Sequence, residues 1–419
     1  MKKSVGPSMI KGTIKAPASK SMMQRAIAAA LLAETPTRLL NPTYSDDSRA
    51  ALSVIRRLGA TVEAKEHEIR VHCQGGMKPT GEILHCGESG LGIRMFSSIA
   101  ALCREELTLT GKGSLLKRPV SMIEQPLNEL GVEVTTSSGC PPLTVKGPLK
   151  GGTAHVDGSV SSQVLTGLLM ALPRAPGDSR LYVKNLKSTP YIDMTIALMK
   201  AFGVEVQHTN YETFFIRGRQ TYSIEEYEVE GDWSGASFLL VAGAVGGSVT
   251  VTNLDINSRQ ADRRIIDALK VVGAGIKMTG NAVEVVKSEL RAFQFDATHC
   301  PDLFPPLVVL ACNCKGTSLI RGVERLIHKE SNRATALQKE FTALGGVIRI
   351  SGNQMEIDEK KLKGGTIDSH NDHRIAMAGA LAAINAESEV IIRDYECVAK
   401  SYPDFFEDFR AIGGEVNEL

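Results

Sequence analysis

The chain has few aromatic side chains, almost no net charge and no long hydrophobic run. Aromatic residues make up 5% of its 419 residues and include a single tryptophan. Its 48 basic and 47 acidic side chains leave a formal net charge of +1. Nucleic-acid-binding proteins usually carry a basic surface and aromatic side chains that stack on bases, and membrane proteins carry apolar segments of about 20 residues. The composition therefore argues against both classes.

Cysteine is present, but it shows no pattern typical of a disulfide frame. The eight cysteines are scattered, form no CxxC pair and mostly lie in apolar stretches. Such residues are typical of reduced, buried thiols, so we expect a cytoplasmic protein. Cys312 and Cys314 could be read as half a metal site, but no other metal-ligand spacing occurs, and we expect no metal. The first apolar run begins only at Ala26, behind a long polar stretch, which is not typical of a secretion signal.

Two patterns recur along the chain with a period of about seventy residues. In the first, a helix ends in a large apolar residue and glycine, and a strand-like alternation follows. Glycine ends helices because the left-handed conformation costs it little. The glycines are spaced by 68 to 72 residues, at Gly59, Gly131, Gly203, Gly273, Gly345 and Gly413.

In the second pattern, a polar or Gly/Ser-rich loop opens a helix rich in alanine and leucine. These loops are spaced by 68 to 73 residues and are marked by Ser19, Ser89, Ser161, Ser234, Asp302 and His373. The sequence therefore predicts six units, each with one apolar helix, one amphipathic helix and several strands. An almost wholly apolar helix must be surrounded by protein. We expect the polar loops at the N-termini of these helices to gather on one side of each domain.

Several of these loops carry cations. They are Lys20, Arg25, Arg94, Arg118, Lys329, Arg333, Arg374 and Lys400. A cation at a helix N-terminus opposes the helix dipole, unless an anion binds there. Their recurrence predicts a site for a ligand with phosphate or carboxylate groups. No P-loop, HExxH or GxSxG motif occurs, and arginines and lysines can neutralise phosphates without a metal ion, so we expect no cofactor.

With these loops, the sequence resembles the 5-enolpyruvylshikimate-3-phosphate synthase family of enolpyruvyl transferases. The matching stretches run in order along the whole chain, as PASKSMMQR, ESGLGIR, KRP, VSSQ, STPYID, PD, KESNR, NDHR and AKSYPDFF. The resemblance implies an α/β fold with two domains, each an inside-out α/β barrel of three βαβαββ repeats. Residues 1–18 and 231–419 would form one domain and residues 19–230 the other, with the active site in the cleft between them.

The resemblance also implies the reaction. The enolpyruvyl group of phosphoenolpyruvate would pass to the 5-hydroxyl of shikimate 3-phosphate, with release of phosphate, through a non-covalent tetrahedral intermediate on the route to chorismate and the aromatic amino acids. The implied residues for shikimate 3-phosphate are Lys20, Ser21, Arg25, Ser161, Ser162, Gln163, Ser188, Tyr191, Asp302, Arg325 and Lys329. Those for phosphoenolpyruvate are Lys20, Gly90, Arg118, Gln163, Arg333, Arg374 and Lys400.

Catalysis requires a base near the hydroxyl and an acid for the methylene carbon. We expect Asp302 on the base side, Glu330 with Lys20 on the acid side, and His373 as a supporting polar group. Taken alone, Asp302 is also typical of an N-cap, because prolines follow it at the start of a helix. Ser161 and Ser162 could likewise be helix caps.

The chain departs from the family pattern near the implied phosphoenolpyruvate site. Glu88 stands where asparagine is usual, and its charge should repel phosphoenolpyruvate unless it pairs with an arginine. The other departures are Met23, Gln24, Leu91, Arg325 and Asn332. Gly90 is retained, so we predict inhibition by glyphosate, the family's inhibitor at this site.

Two alternatives differ from this reading. The sister enzyme, UDP-N-acetylglucosamine enolpyruvyl transferase, typically has a reactive cysteine where this chain has Gly113. A non-catalytic repeat protein that binds polyanions would not need Asp302 or Glu330. We expect a monomer that acts on small molecules, with no nucleic-acid or membrane partner.

Overall fold

The structure, a computed structural model, describes all 419 residues. Twelve α-helices alternate with the strands and with short 3-10 turns. None of the helices combines the length and the apolar character that a membrane span requires. The helices are α1 Lys20–Leu32, α2 Asp46–Arg57, α3 Gly90–Ala100, α4 Glu124–Glu129, α5 Gln163–Ala171, α6 Thr189–Ala201, α7 Trp233–Gly246, α8 Ile265–Val271, α9 Phe304–Cys312, α10 Arg333–Ala343, α11 His373–Ala383 and α12 Phe405–Ala411.

Twenty-four strands form six sheets of four strands each. The strands are β1 Lys2–Gly6, β2 Ile10–Lys15, β3 Thr37–Leu40, β4 Thr61–Ala64, β5 Glu68–His72, β6 Ile83–His85, β7 Glu106–Thr110, β8 Glu133–Ser137, β9 Cys140–Lys146, β10 Gly152–Asp157, β11 Ser179–Lys184, β12 Val206–Thr209, β13 Thr213–Ile216, β14 Glu226–Glu228, β15 Gly247–Thr252, β16 Gly275–Thr279, β17 Ala282–Val286, β18 Gln294–Asp296, β19 Thr317–Arg321, β20 Val347–Ser351, β21 Gln354–Asp358, β22 Gly365–Asp368, β23 Val390–Arg393 and β24 Glu415–Glu418.

All six sheets share one pairing pattern, with one parallel and two antiparallel pairs of strands. In the sheet β6-β7-β9-β8, for example, β6 and β7 are parallel, whereas β7 and β9, and β9 and β8, are antiparallel. Helix α3 connects the two parallel strands, and α4 leads into the antiparallel hairpin. This is the βαβαββ order that a parallel crossover followed by a hairpin produces. The prediction of six βαβαββ repeats is confirmed.

The chain divides into two compact units, and the N-terminal strands belong to the one that contains the C-terminus. Residues Lys20–Val229 form the N-terminal unit, and Met1–Ser19 with Glu230–Leu419 form the C-terminal unit. Strand β1 lies between β23 and β24, and β2 pairs with β15. Strand β14 completes the first sheet of the N-terminal unit by pairing with β3.

One helix of each repeat is buried, as the apolar pattern predicted. Every residue of α3, α9 and α11 is buried, and so is all of α7 except its last glycine. The six glycines that end the partner helices all have positive φ angles, between 80° and 100°. Glycine adopts this conformation without a steric cost. The buried helices form the core of each unit, and a polar loop precedes the N-terminus of each of them.

Candidate active site

The N-terminal halves of the buried helices α1, α3 and α11 carry four of the predicted cations, Lys20, Arg25, Arg94 and Arg374. The two units differ in how their buried helices are capped. In the N-terminal unit, α1 begins at Lys20, and the Ser89 hydroxyl caps α3. In the C-terminal unit, the carboxylates of Asp232 and Asp372 cap α7 and α11. Serine and aspartate both cap helices well, but only aspartate adds a negative charge. The C-terminal unit thus has carboxylate groups of the protein at the N-termini of two buried helices.

Arg25 is a buried cation whose partners are all neutral. Its side chain projects from α1, and the residue is 1% exposed. The guanidinium donates to the Thr195 hydroxyl at 2.9 Å, to the Ser21 carbonyl at 2.9 Å and to the Tyr191 carbonyl at 3.4 Å. Burial lowers the pKa of Arg25 to about 10. A buried charge without a counter-ion is costly, so this position favours an anion.

Lys20 is paired within the protein. Its ammonium group lies 2.9 Å from the Asp47 carboxylate, and the two side chains are 15% and 10% exposed. Asp47 lies in the first turn of α2, where a carboxylate also interacts favourably with the helix dipole. The N-terminal unit therefore holds Lys20 beside α2 by an ion pair that the sequence motifs did not indicate.

Gly90 and Arg118 are in close contact. Arg118 follows the 3-10 turn Gly113–Lys117 and is 8% exposed. A Cβ atom added to Gly90 would lie 2.9 Å from both Cζ and Nη1 of Arg118. The absence of a side chain at Gly90 therefore allows the guanidinium of Arg118 to lie against the first turn of α3.

Glu88 contacts the turn that leads to Arg118. Its carboxylate accepts hydrogen bonds from the Ser114 backbone N–H and from the Ser114 hydroxyl, each at 3.2 Å. Gly113 lies against the same carboxylate, because a Cβ atom added to Gly113 would lie 2.6 Å from the Glu88 carboxylate. These two donors offset part of the charge that was expected to repel phosphoenolpyruvate.

The serines before α5 have different environments. The Ser161 hydroxyl accepts from the Gln163 N–H at 3.2 Å, whereas the Ser162 side chain makes no capping bond to α5. The side-chain amide oxygen Oε1 of Gln163 accepts from Arg94 at 2.7 Å, and Arg94 also donates to the Pro119 backbone carbonyl at 2.8 Å. Of the two serines, Ser161 performs the capping that the sequence suggested. Arg94 connects α3, α5 and the segment after Arg118.

Ser188 adopts an unusual backbone conformation before α6. Its φ and ψ are 57° and 44°, in the left-handed region, and its side chain makes no capping bond. Residues other than glycine occupy this region mainly where the surrounding structure enforces it. The turn places Tyr191 in the first part of α6, where its carbonyl accepts from both Arg25 and the Thr195 hydroxyl.

The C-terminal unit concentrates its charges in one group, which we call the Arg333 cluster. The guanidinium of Arg333 lies 2.8 Å from the Asp302 carboxylate, 2.7 Å from Glu330 and 3.0 Å from Asp372. The Arg333 side chain is 0% exposed. Burial alone would lower the pKa of Arg333, but the three carboxylates raise it. The cluster comprises Asp302, Lys329, Glu330, Arg333, Asp372 and Arg374.

Asp302 binds three cations and does not cap a helix. Its carboxylate lies 3.1 Å from Lys329, 2.8 Å from Arg333 and 3.3 Å from Arg374. Burial alone would raise the pKa of Asp302, but these cations hold it well below its ordinary value. The residue before α9 is Leu303, and no side chain caps that helix. The capping role considered from the sequence is therefore wrong.

The remaining predicted residues of this unit lie around α11 and the 3-10 turns. His373 is the first residue of α11 and is 1% exposed. Lys400, which is 6% exposed, donates to the Asn371 carbonyl at 2.6 Å, in the loop before α11. Arg325 is half-buried in the 3-10 turn Val323–Leu326.

The Arg333 cluster is balanced in charge. The sequence predicted a surplus of cations at these helix ends, but the cluster contains three carboxylates beside its three cations. For this cluster the predicted surplus is wrong, because Glu330 and Asp372 stand in the same loops as the cations and pair with Arg333. An anionic ligand here must compete with carboxylates of the protein, whereas Arg25 has none.

Comparison with known proteins gives the family. The family model of EPSP synthase (3-phosphoshikimate 1-carboxyvinyltransferase) matches residues 5–409. The chain belongs to the EPSP synthase family. A 3-phosphoshikimate 1-carboxyvinyltransferase from Clostridium novyi (strain NT) is 40% identical over 98% of this chain and 97% of its own length. One from Methanocorpusculum labreanum is 38% identical, with 100% of both chains covered.

The fold agrees with the EPSP synthase family. A solved structure of EPSP synthase from Acinetobacter baumannii matches with a TM-score of 0.83 at 26% identity and covers 100% of both chains. The predicted two-domain inside-out α/β fold is thus confirmed. The family model and the curated relatives carry transferase names, which leaves the sister enzyme and the non-catalytic repeat protein without support.

Sequence reasoning missed the carboxylates that accompany the cations. Asp47 pairs with Lys20, and Asp372 pairs with Arg333. One signal was available, because Asp232, Asp302 and Asp372 recur at intervals of 70 residues at the starts of the three buried helices of the C-terminal unit. No group of three or more His, Cys, Asp or Glu side chains is arranged to hold a metal ion.

Proposed function

We propose that this protein is a 3-phosphoshikimate 1-carboxyvinyltransferase. It transfers the enolpyruvyl group of phosphoenolpyruvate to the 5-hydroxyl of shikimate 3-phosphate and releases phosphate. The observation that carries the proposal is Arg25, a buried guanidinium whose partners within the protein are all neutral. Such a charge is costly unless an anionic ligand balances it. Membership in the EPSP synthase family supports this substrate class.

For shikimate 3-phosphate, the proposed residues begin with Arg25 and Lys20. Arg25 offers a planar fork of donors that suits a carboxylate or a phosphate. Ser21 precedes Arg25 by one helical turn, and the Tyr191 carbonyl contacts the guanidinium. The hydroxyl groups near α5 and α6 would complete the polar contacts to the ligand. The full proposed set is Lys20, Ser21, Arg25, Ser161, Ser162, Gln163, Ser188, Tyr191, Asp302, Arg325 and Lys329.

For phosphoenolpyruvate, the proposal begins with two arginines. They are Arg118, which lies against Gly90, and Arg374 of the Arg333 cluster. Phosphoenolpyruvate carries a carboxylate and a phosphate, and a phosphate group contributes about −1.5 to −2 charges at neutral pH. Several cations are therefore needed to balance it. The proposed set is Lys20, Gly90, Arg118, Gln163, Arg333, Arg374 and Lys400.

Asp302 is proposed as the base, and its contacts impose a condition on that role. A carboxylate paired with three cations is a weak base, because protonation would remove three favourable interactions. The carboxylate of phosphoenolpyruvate would draw Arg333 and Arg374 away from Asp302. The basicity of Asp302 would then rise only when both substrates are bound.

Glu330 is proposed to act with Lys20 as the acid that protonates the methylene carbon, and His373 is proposed as a supporting polar group. Glu330 lies 2.7 Å from Arg333, so the same exchange of partners would release it. The addition product would be a tetrahedral intermediate that is not bonded to the protein. Positive charge from Arg118 and Lys400 would stabilise the departing phosphate. The predicted monomeric state and cytoplasmic location belong to the same proposal.

The test is a phosphate-release assay with shikimate 3-phosphate and phosphoenolpyruvate, each omitted in turn. Release should require both substrates, and glyphosate should inhibit it in competition with phosphoenolpyruvate. Arg25→Gln should lower kcat/KM for shikimate 3-phosphate by at least about thirtyfold, because a buried charge contact is worth about 2–5 kcal/mol. Arg56→Gln, at an exposed position on α2, is the matched control and should change little.

Thermal unfolding separates loss of binding from loss of folding. Because Arg25 is a buried charge without a counter-ion, Arg25→Gln should unfold at the same or a higher temperature than the parent protein. Shikimate 3-phosphate should raise the Tm of the parent protein but not that of the variant. Unchanged phosphate release in Arg25→Gln, or release with either substrate alone, would defeat the proposal.

A further inference from the structure

Asp262 is a buried carboxyl group that none of the expected roles includes. It lies in the 3-10 turn Ala261–Arg264 and is 3% exposed. The Ser234 hydroxyl donates to its Oδ2 at 2.5 Å, whereas its Oδ1 is buried and has no hydrogen-bond partner. An ionised carboxylate offers about four acceptor sites. One hydrogen bond leaves such an ion poorly satisfied in the protein interior.

The charged and titratable neighbours of Asp262 come from three elements. Asp232 caps α7, Cys300 and Asp302 precede α9, and Arg374 lies in the first turn of α11. Burial, followed by the negative charge of Asp302, raises the pKa of Asp262 to about 7, although Arg374 opposes the shift. Burial also raises the pKa of the Cys300 thiol, which therefore stays neutral.

Asp262 and Asp302 thus form a pair of carboxyl groups with opposite tendencies. The pKa of Asp302 is lowered by three cations, and that of Asp262 is raised by burial. Two carboxyl groups whose environments differ in this way separate into one that is ionised and one that keeps its proton. The geometry also indicates that Asp302 is the ionised member. Asp302 forms three ion pairs, whereas Asp262 accepts one hydrogen bond, from the Ser234 hydroxyl.

We propose that Asp262 is a positioning residue that acts as a neutral carboxylic acid, and that its ionisation weakens the binding of an anionic substrate at Arg374. While Asp262 is neutral, Arg374 forms its one ion pair with Asp302, at 3.3 Å. Ionisation adds a second carboxylate charge that competes with the substrate for Arg374. The part of this inference that concerns the substrate rests on the proposed function, which assigns Arg374 to phosphoenolpyruvate.

The direction of the pH effect follows from linkage. A substrate anion at Arg374 disfavours a negative charge on Asp262, so binding should raise the pKa of Asp262 further. By reciprocity, affinity is greatest while Asp262 is protonated, and it falls as the pH rises through the titration of that group. The stability contribution has the same sign. A carboxyl group whose pKa is raised in the folded protein loses stabilisation as the pH rises towards that pKa.

The first experiment measures KM for phosphoenolpyruvate at saturating shikimate 3-phosphate, from about pH 6 to about pH 9. In the parent protein, KM should rise about tenfold more than in Asp262→Asn, which cannot ionise. The phosphoenolpyruvate phosphate titrates in the same range, but it does so equally in both proteins and cancels in their ratio. Asp267→Asn, on the following helix and with a side chain 61% exposed, is the control and should follow the parent. A profile in Asp262→Asn that parallels the parent overturns the proposal.

A second measurement needs no turnover. Isotope-edited infrared spectroscopy of the full-length protein should show the carbonyl band of a buried carboxylic acid. This band should disappear above neutral pH. In Ser234→Ala this loss should move to higher pH, because the Ser234 hydroxyl stabilises the ionised form. These spectra decide the protonation state even if Asp262→Asn does not fold, and absence of the band at about pH 6 overturns the proposal. If phosphate release fails while the band is present, the proposed function is wrong and the neutral state of Asp262 stands.

Discussion

Two buried arginines with similar positions in the sequence have opposite environments. Arg25 lies in the second turn of α1 and Arg333 is the first residue of α10, and both are almost fully buried. Arg25 contacts only neutral groups, whereas Arg333 binds carboxylates 31 and 39 residues away in the chain, at Asp302 and Asp372. The sequence could predict both cations, because lysine and arginine recur at the helix starts. It could not predict their partners, because these contacts depend on how distant repeats pack.

The contact between Gly90 and Arg118 gives a prediction at this scale. Gly90→Ala should raise KM for phosphoenolpyruvate about tenfold, which corresponds to about 1.4 kcal/mol of lost binding. The added Cβ would lie 2.9 Å from the guanidinium, and the flexible end of Arg118 would move away from it. Steady-state kinetics with each substrate varied in turn would measure the change, and KM for shikimate 3-phosphate should stay the same.

Gly92→Ala provides the control for that experiment. Its added Cβ would lie 3.1 Å from the Ser89 side chain, which caps the same helix, and away from Arg118. This variant should lose stability without a selective change in KM for phosphoenolpyruvate. Equal effects of the two substitutions on that KM would show that Gly90 acts through the helix and not through Arg118.

At the scale of elements, the buried helices could be predicted and their caps could not. A mostly apolar segment behind a polar loop indicates a buried helix, and α3, α7, α9 and α11 follow this pattern. The first turn is different. Serine and aspartate both indicate an N-cap, yet Asp372 also binds Arg333, and Asp302 does not cap at all.

The double role of Asp372 can be separated by two substitutions. Asp372→Asn keeps a capping side chain for α11 but removes the charge that pairs with Arg333, and it should cost about 3 kcal/mol of unfolding free energy. Asp372→Ala loses the cap as well and should cost about 1 kcal/mol more. Urea denaturation at neutral pH would measure both values.

Ser89→Ala is the reference for a cap without an ion pair, and it should cost about 1 kcal/mol. If Asp372→Asn proved as stable as the parent protein, capping would account for the whole contribution of Asp372, and the ion pair with Arg333 would contribute nothing measurable.

For the whole molecule, the repeat period predicts the architecture, but not which strands complete each sheet. The glycines and the loop residues recur with nearly the same spacing, so six units follow from counting. Strands β1 and β2 have no such period. Their placement in the C-terminal unit depends on pairing with β23, β24 and β15, which are more than two hundred residues away. Only the family resemblance indicated it.

Deleting residues 1–15 should therefore unfold the C-terminal unit and leave the N-terminal unit folded. Strand β1 is a central strand between β23 and β24, and Val5 in this strand is 0% exposed. Hydrogen exchange followed by mass spectrometry should show loss of protection in α7, α9 and α11, with α1, α3 and α5 still protected.

Deleting residues 416–419 is the comparison for that experiment, because β24 lies at the edge of its sheet. It should reduce protection in the neighbouring strands and leave the buried helices protected. Retained protection of α7 after loss of residues 1–15 would show that the C-terminal unit does not depend on its N-terminal strands.

The pairing of β1 with β24 also brings the two chain ends together. Lys3 lies opposite Glu418 in adjacent antiparallel strands, so Met1 and Leu419 lie at the same end of two neighbouring strands. A short hairpin linker could join them. Opening the chain between Val229 and Glu230 would then give a circular permutant in which each unit is encoded by one uninterrupted segment. The two units could be expressed as separate polypeptides from such a gene, and each could be purified and titrated with anions by itself.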